Sequence, residues 1–352
     1  MEQRIEKCVK KIKAEALDAL LVSNSVNITY LTGFRKAEGY LLLTSRQELF
    51  YFTNFLYQEE ARKIGGWKVI VSNGTNIFKL LSQTIKREHL RKIGFEAKEL
   101  PFLEYRKIKD DLGARVDFLA TIDLMANLRA VKTKYEISLI KKSVKISGQA
   151  FEFIREIYSE TMSEKDISIE VEKFLKLKGD SELAFPPIVA TGESTAFPHH
   201  FPGEKKINGN FFLIDLGSKY CGYCSDLTRV FSGSKMPSLF KKIYDIVRSA
   251  QDLAIKKIKE GIKAKEIDRQ ARAFIEKKGW GKYFGHGLGH GVGLSVHEPP
   301  YLNHKNDEVL KEGMVLTIEP AIYIKGKFGI RLEDMVLVKK ERSEVLSGNV
   351  HR

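Results

Sequence analysis

The chain has 352 residues, 43% hydrophobic and 10% aromatic, which is enough for two globular domains with apolar cores. Its net charge of +14 comes from scattered lysine doublets interleaved with glutamates, a pattern typical of solvated helix faces that argues against a nucleic-acid partner. With three cysteines, no signal sequence and no apolar run of roughly 18 residues, the sequence predicts a cytoplasmic protein without a membrane segment or a disulfide scaffold.

The segment from residue 1 to about 125 alternates β-rich runs with runs of helical periodicity. It opens on an amphipathic helix, and the runs that follow are DALLVS, GYLLLT, ELFYFT, KVIVSN, NIFKLLSQTIKREHL, KIGFEA and PFLEYRKIKDDL. This alternation predicts an α/β unit, and the unit has few candidate catalytic groups. We place the boundary near 125 to 132, and expect an N-terminal domain at 1–128 and a second domain at 129–352.

The second domain contains a candidate internal repeat. A capping box formed by Thr133 and Glu136 predicts a long helix that runs through Tyr158, and segment 160–179 then matches segment 260–279 at an offset of one hundred. The alternative is a chance similarity between two lysine-rich helices that end in glycine. Each copy follows a longer amphipathic helix and precedes strands, which favours the repeat.

Each copy is followed by a strand, a turn and a second strand, with an acidic residue on both arms. FFLIDLGSKYCGYCSDLTRVF places Asp215 and Asp226 about a centre near 220–221, and MVLTIEPAIYIKGKFGIRLEDMVLV places Glu319 and Glu333 symmetrically about its own turn. In an antiparallel hairpin, residues symmetric about the turn lie opposite each other and point to one face. Each half therefore offers a pair of carboxylates.

The stretch GHGLGHGVGLSVHEPP (285–300) adds histidines to these acids. Its glycines allow close backbone approach, which suits a loop or a strand end better than a helix interior. Carboxylates side by side on apolar strands stay ionised only when cations compensate them. Four carboxylates with one imidazole fit a two-metal site for Mn²⁺, Co²⁺, Fe²⁺ or Zn²⁺, and hydrolysis is the leading reaction class.

These motifs resemble those of the creatinase, aminopeptidase P, prolidase and methionine aminopeptidase family. The resemblance covers about 130–345 and depends on IDLG, CSDLTR, GHGLGHGVGLSVHEPP, TIEPAIY and GIRLED, which occur in that order. ITYLTGF (28–34) is similar to the N-terminal domain of the proline-directed peptidases and creatinases. The resemblance implies an α+β fold, with a small α/β creatinase-like N-terminal domain followed by a pita-bread catalytic domain of two pseudo-symmetric α/β halves.

The resemblance also implies a complete set of metal ligands. Carried over position by position, the ligands are Asp215, Asp226, His290, Glu319 and Glu333. Asp226 and Glu333 would bridge two divalent ions, with Mn²⁺ or Co²⁺ expected and Zn²⁺ or Fe²⁺ as alternatives. Because creatinase has lost this set, its presence here favours a metallopeptidase.

Five residues match family positions that act on the substrate or support the ligands. His297 would hydrogen-bond the scissile carbonyl oxygen, His199 would contact the substrate, and Glu319 would carry a proton to the leaving nitrogen. Tyr323 and Arg331 would contact the substrate or support a ligand. For Arg331 the alternative is an ion pair at the surface.

Neighbouring histidines and cysteines are assigned structural roles. His200 is expected at the surface, although an exchange of roles with His199 stays open, and His286 is expected to pack beside the glycine-rich loop. Cys221 and Cys224 form a C-x-x-C pair without further cysteine ligands, so we interpret them as packing residues.

The leading functional hypothesis is an Xaa-Pro aminopeptidase that removes the residue ahead of proline. The alternative is an Xaa-Pro dipeptidase, also called prolidase, which acts only on dipeptides. A third hypothesis, a non-catalytic relative that binds peptide or nucleic acid, would require lost metal ligands, and none is lost. The partners implied by the resemblance are a peptide with proline at its second position and a second copy of the chain in a homodimer.

Overall fold

The computed structural model describes residues 2–35, 38–180, 182–209, 211–232 and 237–350. The chain divides into two compact units, Met1–Arg129 and Ala130–Arg352. Among the described helices, none combines the length and the apolar character that a bilayer span requires.

The helices of the described residues are α1 (Glu2–Ala14), α2 (Ser25–Thr32), α3 (Gln58–Arg62), α4 (Ile77–Arg87), α5 (Phe102–Leu112), α6 (Leu124–Ala130), α7 (Lys134–Ile157), α8 (Glu164–Lys178), α9 (Ser238–Lys257) and α10 (Ala264–Lys277). The strands of the first unit are β1 (Ala19–Val22), β2 (Tyr40–Thr44), β3 (Leu49–Asn54), β4 (Lys68–Ser72), β5 (Lys92–Glu96) and β6 (Asp117–Thr121). The second unit begins with β7 (Ile188–Thr191), β8 (Phe212–Leu216), β9 (Lys219–Tyr220), β10 (Tyr223–Cys224) and β11 (Leu227–Phe231). It continues with β12 (Gly289–Gly291), β13 (Glu298–Leu302), β14 (Val315–Ile318), β15 (Ala321–Ile324), β16 (Phe328–Arg331), β17 (Asp334–Leu337) and β18 (Glu344–Val345).

The first unit is built on a mixed six-stranded sheet with the order β4-β3-β2-β1-β5-β6. Every β-rich run that the sequence analysis identified forms a strand of this sheet, and the two helical runs form α4 and α5. Strand β6 was not predicted. It lies at the edge of the sheet and buries only Phe118, so its sequence lacks the apolar alternation that marks a half-buried strand.

The second unit consists of two halves with the same plan. In the first half, α7 and α8 pack on the antiparallel sheet β11-β8-β7, and Ile140, Ile167 and Ile214 share one apolar core. In the second half, α9 and α10 pack on the sheet β13-β12-β14-β17-β18, and Ile267 and Leu316 belong to its core. Thr133 and Glu136 form the predicted capping box at the start of α7.

The internal repeat is visible in backbone contacts at matching positions. Ser163 forms an isolated β-bridge with Lys206, and Lys263, one hundred residues later, forms one with Val309. One residue further on, the N–H of Glu164 donates to a carbonyl at 3.0 Å and the N–H of residue 264 donates to a carbonyl at 2.9 Å. The two segments therefore share a tertiary setting, which chance similarity between helices would not produce.

The second hairpin has the predicted register. Strands β14 and β17 pair with Ile318 opposite Asp334, and β15 and β16 pair with Ala321 opposite Arg331. Both ladders place the centre of the turn at Gly326, which has a φ of 73°. Glu319 and Glu333 therefore stand at symmetric positions, as expected.

The first hairpin differs from the prediction by one residue at its turn. Tyr220 pairs with Tyr223, and Cys221 and Gly222 between them have φ values of 50° and 83°, as a two-residue type I′ turn requires. Asp215 consequently lies opposite Thr228 and is diagonal to Asp226. The two carboxylates still share a face because positions 226 and 228 differ by two. Direct opposition was the wrong expectation, since it ignored the positive φ that glycine supplies at 222.

The glycines of the 285–300 stretch allow close approach to neighbouring backbone. A Cβ on Gly289 would lie 2.0 Å from the carbonyl oxygen of Thr317, and one on Gly291 would lie 2.3 Å from that of Pro299. A Cβ on Gly285 would meet no atom within 4 Å. Glycine is thus required at positions 289 and 291, where the backbone of β12 lies close to that of β14 and of β13.

We expect Gly291→Ala to destabilise the protein and Gly285→Ala to leave its stability unchanged. The added methyl group at 291 meets a backbone carbonyl that cannot rotate away, and overpacking of this kind costs about 3 kcal/mol. The thermal unfolding midpoint should fall by roughly 6 to 12 °C in Gly291→Ala. Differential scanning calorimetry of both variants checks this, and equal midpoints would contradict the packing argument.

Candidate active site

A cavity of about 850 Å³ in the second unit brings the predicted site residues together. Its lining includes Asp215, Asp226, His290, Glu319, Glu333, His199, His297, Tyr323 and Arg331. The acids come from the two hairpins, and the histidines come from the glycine-rich stretch and from the loop before β8. Residues up to 134 positions apart in the sequence therefore face one enclosed space.

The five candidate ligands form two adjoining groups. Ligand atoms of Asp215, Asp226 and Glu333 lie within 4.8 Å of one another, and so do those of His290, Glu319 and Glu333. His290 Nε2 is 3.6 Å from Asp226 Oδ2 and 3.4 Å from Glu319 Oε1. Because Glu333 belongs to both groups, the arrangement can hold two neighbouring cations that share a carboxylate.

The buried carboxylates need compensating positive charge. Burial and the neighbouring acids raise the pKa of Asp226 and of Glu333 well above the ordinary range, and burial raises the pKa of Glu319 to about 8. Asp215 Oδ1 is buried and accepts no hydrogen bond from any described residue. An oxygen in this position, beside carboxylates that are costly to ionise, fits coordination to a divalent ion.

His290 is held in the form that a metal ligand requires. Burial, together with the nearby His297, lowers its pKa to about 4, so the ring is neutral at physiological pH. Its Nδ1 lies 3.1 Å from the carbonyl oxygen of Gly291, which can only accept, so Nδ1 carries the proton. The Nε2 lone pair is then left facing the acids.

Arg331 connects two of the candidate ligands. Its guanidinium donates to Asp215 Oδ2 at 2.6 Å, to the Tyr323 hydroxyl at 2.7 Å and to Thr228 Oγ1 at 3.1 Å. Thr228 in turn donates to Glu333 Oε2 at 2.7 Å. Arg331 is only 4% exposed, so a surface ion pair does not describe it.

The sequence analysis did not identify Thr228, although this residue is part of the CSDLTR motif. It lies two residues after Asp226 and therefore points to the same face of the hairpin.

His199 and His200 both line the cavity, but they differ in their contacts. His200 was expected at the surface; its side chain is instead 22% exposed, and its Nε2 lies 2.7 Å from Glu164 Oε2. The buried Glu164 carboxylate also accepts the N–H groups of Thr191 at 2.8 Å and of Gly203 at 3.1 Å. The loop that carries His199 is thus fixed by an acid at the start of α8, which sequence spacing could not reveal.

His286 packs beside the glycine-rich loop as expected. Its ring lies 5.2 Å from that of Phe284 and 5.8 Å from that of Tyr323, and Nδ1 is 2.7 Å from the carbonyl oxygen of Gly287. Burial lowers its pKa to about 4, so the ring is neutral. His286 also lines the cavity, a location that the sequence analysis did not assign to it.

A buried ion pair lies next to His297. Lys132 Nζ is 2.8 Å from Glu298 Oε1, and both side chains are 1% exposed. Since Glu298 directly follows His297 in the chain, this pair fixes the backbone that presents the imidazole. A single lysine and a distant glutamate form no recognisable pattern, so the sequence analysis missed the pair.

Comparison with known proteins identifies the family. The description "Metallopeptidase family M24" matches residues 138–340, and "Creatinase/Prolidase N-terminal domain" matches residues 4–131. The chain therefore belongs to metallopeptidase family M24 and carries a creatinase/prolidase N-terminal domain, so it is a hydrolase. The predicted α+β fold, with its pita-bread second domain, is confirmed.

Individual relatives cover nearly the whole chain. A protein of Pyrococcus horikoshii named Xaa-Pro dipeptidase is 34% identical over 99% of this chain and 97% of its own. A solved Xaa-Pro dipeptidase from Bacillus anthracis has a TM-score of 0.94 at 34% identity, covering 99% of this chain and 97% of that one. The X-Pro aminopeptidase of Thermotoga maritima has a TM-score of 0.87 at 33% identity, covering 96% and 97%.

We expect the stability of the metal-free protein to fall as pH rises from 6.5 to 8. A folded-state pKa of about 8 for Glu319 lies above its unfolded value, so the stability it contributes is complete at low pH and is lost as pH rises through 8. His290, with a folded pKa of about 4, is already neutral throughout this window. Glu319 by itself contributes up to about 2 kcal/mol, and Asp226 and Glu333, whose pKa values are also raised, act in the same direction.

Urea unfolding of the chelator-treated protein at several pH values measures this slope. Glu319→Gln should reduce the slope, whereas the exposed Glu312→Gln should leave it unchanged. Stability that rises with pH across the window, in the metal-free wild type, would refute the assignment.

Proposed function

We propose that this protein is an Xaa-Pro dipeptidase that holds two divalent ions with Asp215, Asp226, His290, Glu319 and Glu333. The observation that carries the proposal is the full-length similarity to proteins named Xaa-Pro dipeptidase, at 34% identity, together with an intact ligand set in one cavity. These relatives support the dipeptidase alternative better than the aminopeptidase hypothesis that sequence analysis favoured. Mn²⁺ or Co²⁺ as the bound ions, and a homodimer, remain predictions from the family resemblance.

The divalent ions, when bound, supply a Lewis acid and a water molecule acidified to near-neutral pKa. The chain supplies the donors that stabilise the developing charge. His297 lies against His290, with ring centroids 4.2 Å apart, and its side chain is exposed to the cavity. An imidazole N–H in this place donates to the scissile carbonyl oxygen as negative charge develops on it.

Glu319 moves the proton. Its side chain is 18% exposed and lines the cavity that would hold the substrate. It accepts the proton released as water attacks the carbonyl carbon and delivers it to the prolyl nitrogen, which has no N–H of its own before cleavage. Thr317 Oγ1, at 3.4 Å from Glu319 Oε1, orients the carboxylate.

One observation favours the aminopeptidase as a second candidate. Among the described residues that line the cavity, only Arg331 carries a permanent positive charge, and Asp215 and Tyr323 already occupy its guanidinium. A dipeptide buries its proline carboxylate, which is costly unless donors meet it, whereas a longer peptide presents a neutral amide there. The lining offers imidazoles such as His199 and His200 instead of a free guanidinium or ammonium.

The dipeptide Met-Pro should be hydrolysed with a kcat/KM at least about 100-fold higher than those of Met-Pro-Ala and a matched pentapeptide, because imidazoles such as His199 can donate to its free carboxylate, which the longer peptides replace with an amide. Met-Ala is the control for the proline requirement. Comparable kcat/KM values for all proline-containing peptides, each losing a single residue, identify the aminopeptidase instead. Efficient cleavage of Met-Ala would contradict both candidates.

His290→Ala and His297→Ala should separate metal binding from transition-state stabilisation. We expect His290→Ala to lose metal, because a ligand is removed, and His297→Ala to keep both ions while its kcat falls about 10² to 10³-fold. Elemental analysis after equilibration with Mn²⁺, together with turnover on Met-Pro, measures the two effects. The exposed His304→Ala is the matched control, and full turnover in His297→Ala would overturn its role.

A further inference from the structure

The strand ladder of the second hairpin is interrupted where its acids lie. Regular pairing between β14 and β17 stops at Ile318 and Asp334, and pairing resumes between β15 and β16 at Ala321 and Arg331. Glu319 and the acid at 333 occupy this interruption, one on each strand. Across this interruption the described backbone provides one long hydrogen bond, from the N–H of Leu332 to the carbonyl oxygen of Pro320 at 3.5 Å, so the spacing of the two acids depends on further contacts.

Gln251 of helix α9 bridges the interruption. Its side-chain Nε2 donates to the carbonyl oxygen of Ile318 at 2.9 Å and to that of Leu332 at 3.0 Å. These carbonyls belong to the residues directly before Glu319 and Glu333. Gln251 is fully buried, and carbonyl oxygens only accept, so the amide nitrogen must face them. One side chain thus ties together the two backbone segments that carry the acids.

The first hairpin repeats this arrangement with serines. Its ladder stops at the end of β8 and resumes at β9, with one backbone hydrogen bond between them, from the N–H of Ser225 to the carbonyl oxygen of Ser218 at 3.0 Å. Helix α7, which occupies the place of α9, reaches into this interruption. Ser143 Oγ donates to the Ser218 carbonyl oxygen at 2.8 Å, and Ser147 Oγ accepts the Ser218 N–H at 3.0 Å. Ser147 also contacts Ser225, the residue before Asp226, at 2.9 Å between hydroxyl oxygens.

We propose that Gln251 is a positioning residue that sets the separation of the Glu319 and Glu333 carboxylates and thereby the affinity for the divalent ions. Without its amide, two buried carbonyls lose a donor, and the long hydrogen bond between Leu332 and Pro320 is the backbone link described at the interruption. Residues that hold metal ligands through one further contact typically change affinity when removed. The inference rests on the proposed metal role of the two glutamates.

The test compares Gln251→Met with Val247→Ala on chelator-stripped full-length protein. Methionine keeps the length of glutamine but has no hydrogen-bond donor. Val247 lies one turn away on α9 in the apolar core, so Val247→Ala weakens the packing of the helix without removing the hydrogen bonds of Gln251. Isothermal titration with Mn²⁺ gives the dissociation constants, and calorimetry of the metal-free forms gives the thermal midpoints. We expect the Kd of at least one ion to rise about 10- to 100-fold in Gln251→Met. In Val247→Ala the Kd should stay within about threefold of the wild-type value, because the geometry of the ligands is unchanged.

If Gln251→Met does not fold, Gln251→Glu tests the positioning role instead. Its protonated carboxyl keeps the shape and one donor, so an affinity between those of wild type and of a donor-free site is expected. Wild-type Kd values in a folded Gln251 variant, or an equal loss in Val247→Ala, overturn the positioning role. A wild-type protein that binds no Mn²⁺ would instead contradict the proposed function.

Discussion

The electrostatic cost of placing four carboxylates in one cavity is the constraint on which the second unit depends. Asp226 and Glu333 are nearly inaccessible to water. Burial and the neighbouring acids raise the pKa of both carboxyls. Among the described residues that line the cavity, Arg331 supplies the only guanidinium, and it donates to Asp215. These carboxylates therefore hold protons or, when ionised, require cations beside them, and this favours the binding of divalent ions.

The backbone is adapted to this constraint on both sides of the pseudo-symmetric unit. Each hairpin interrupts its regular ladder next to its acids, and a long helix supplies polar side chains that add to the one backbone hydrogen bond described there. Serines do this in one half and a glutamine does it in the other. The two halves thus reach the same geometry with different chemistry, which explains why the repeat is clear in the contacts and faint in the sequence.

The sequence predicted the parts of the site that depend on local pattern. Ordered motifs identified the candidate ligands, which line one cavity, and the symmetry of the acids about Gly326 gave the register of the second hairpin correctly. The first hairpin was misplaced because the turn chemistry of Cys221 and Gly222, rather than the acids, decides its register. Contacts such as Glu164 with His200 depend on tertiary packing between distant segments and leave no spacing to recognise.

The buried pair of Lys132 and Glu298 sets a limit on how the chain can be shortened. Lys132 lies only three residues beyond the end of the first compact unit, and its ammonium is the partner of the glutamate that follows His297. A fragment that began after this lysine would retain all the candidate site residues yet lose the ammonium that pairs with this buried glutamate. The boundary of the second unit therefore has to be drawn before its first site motif, at a residue that takes no part in the proposed chemistry.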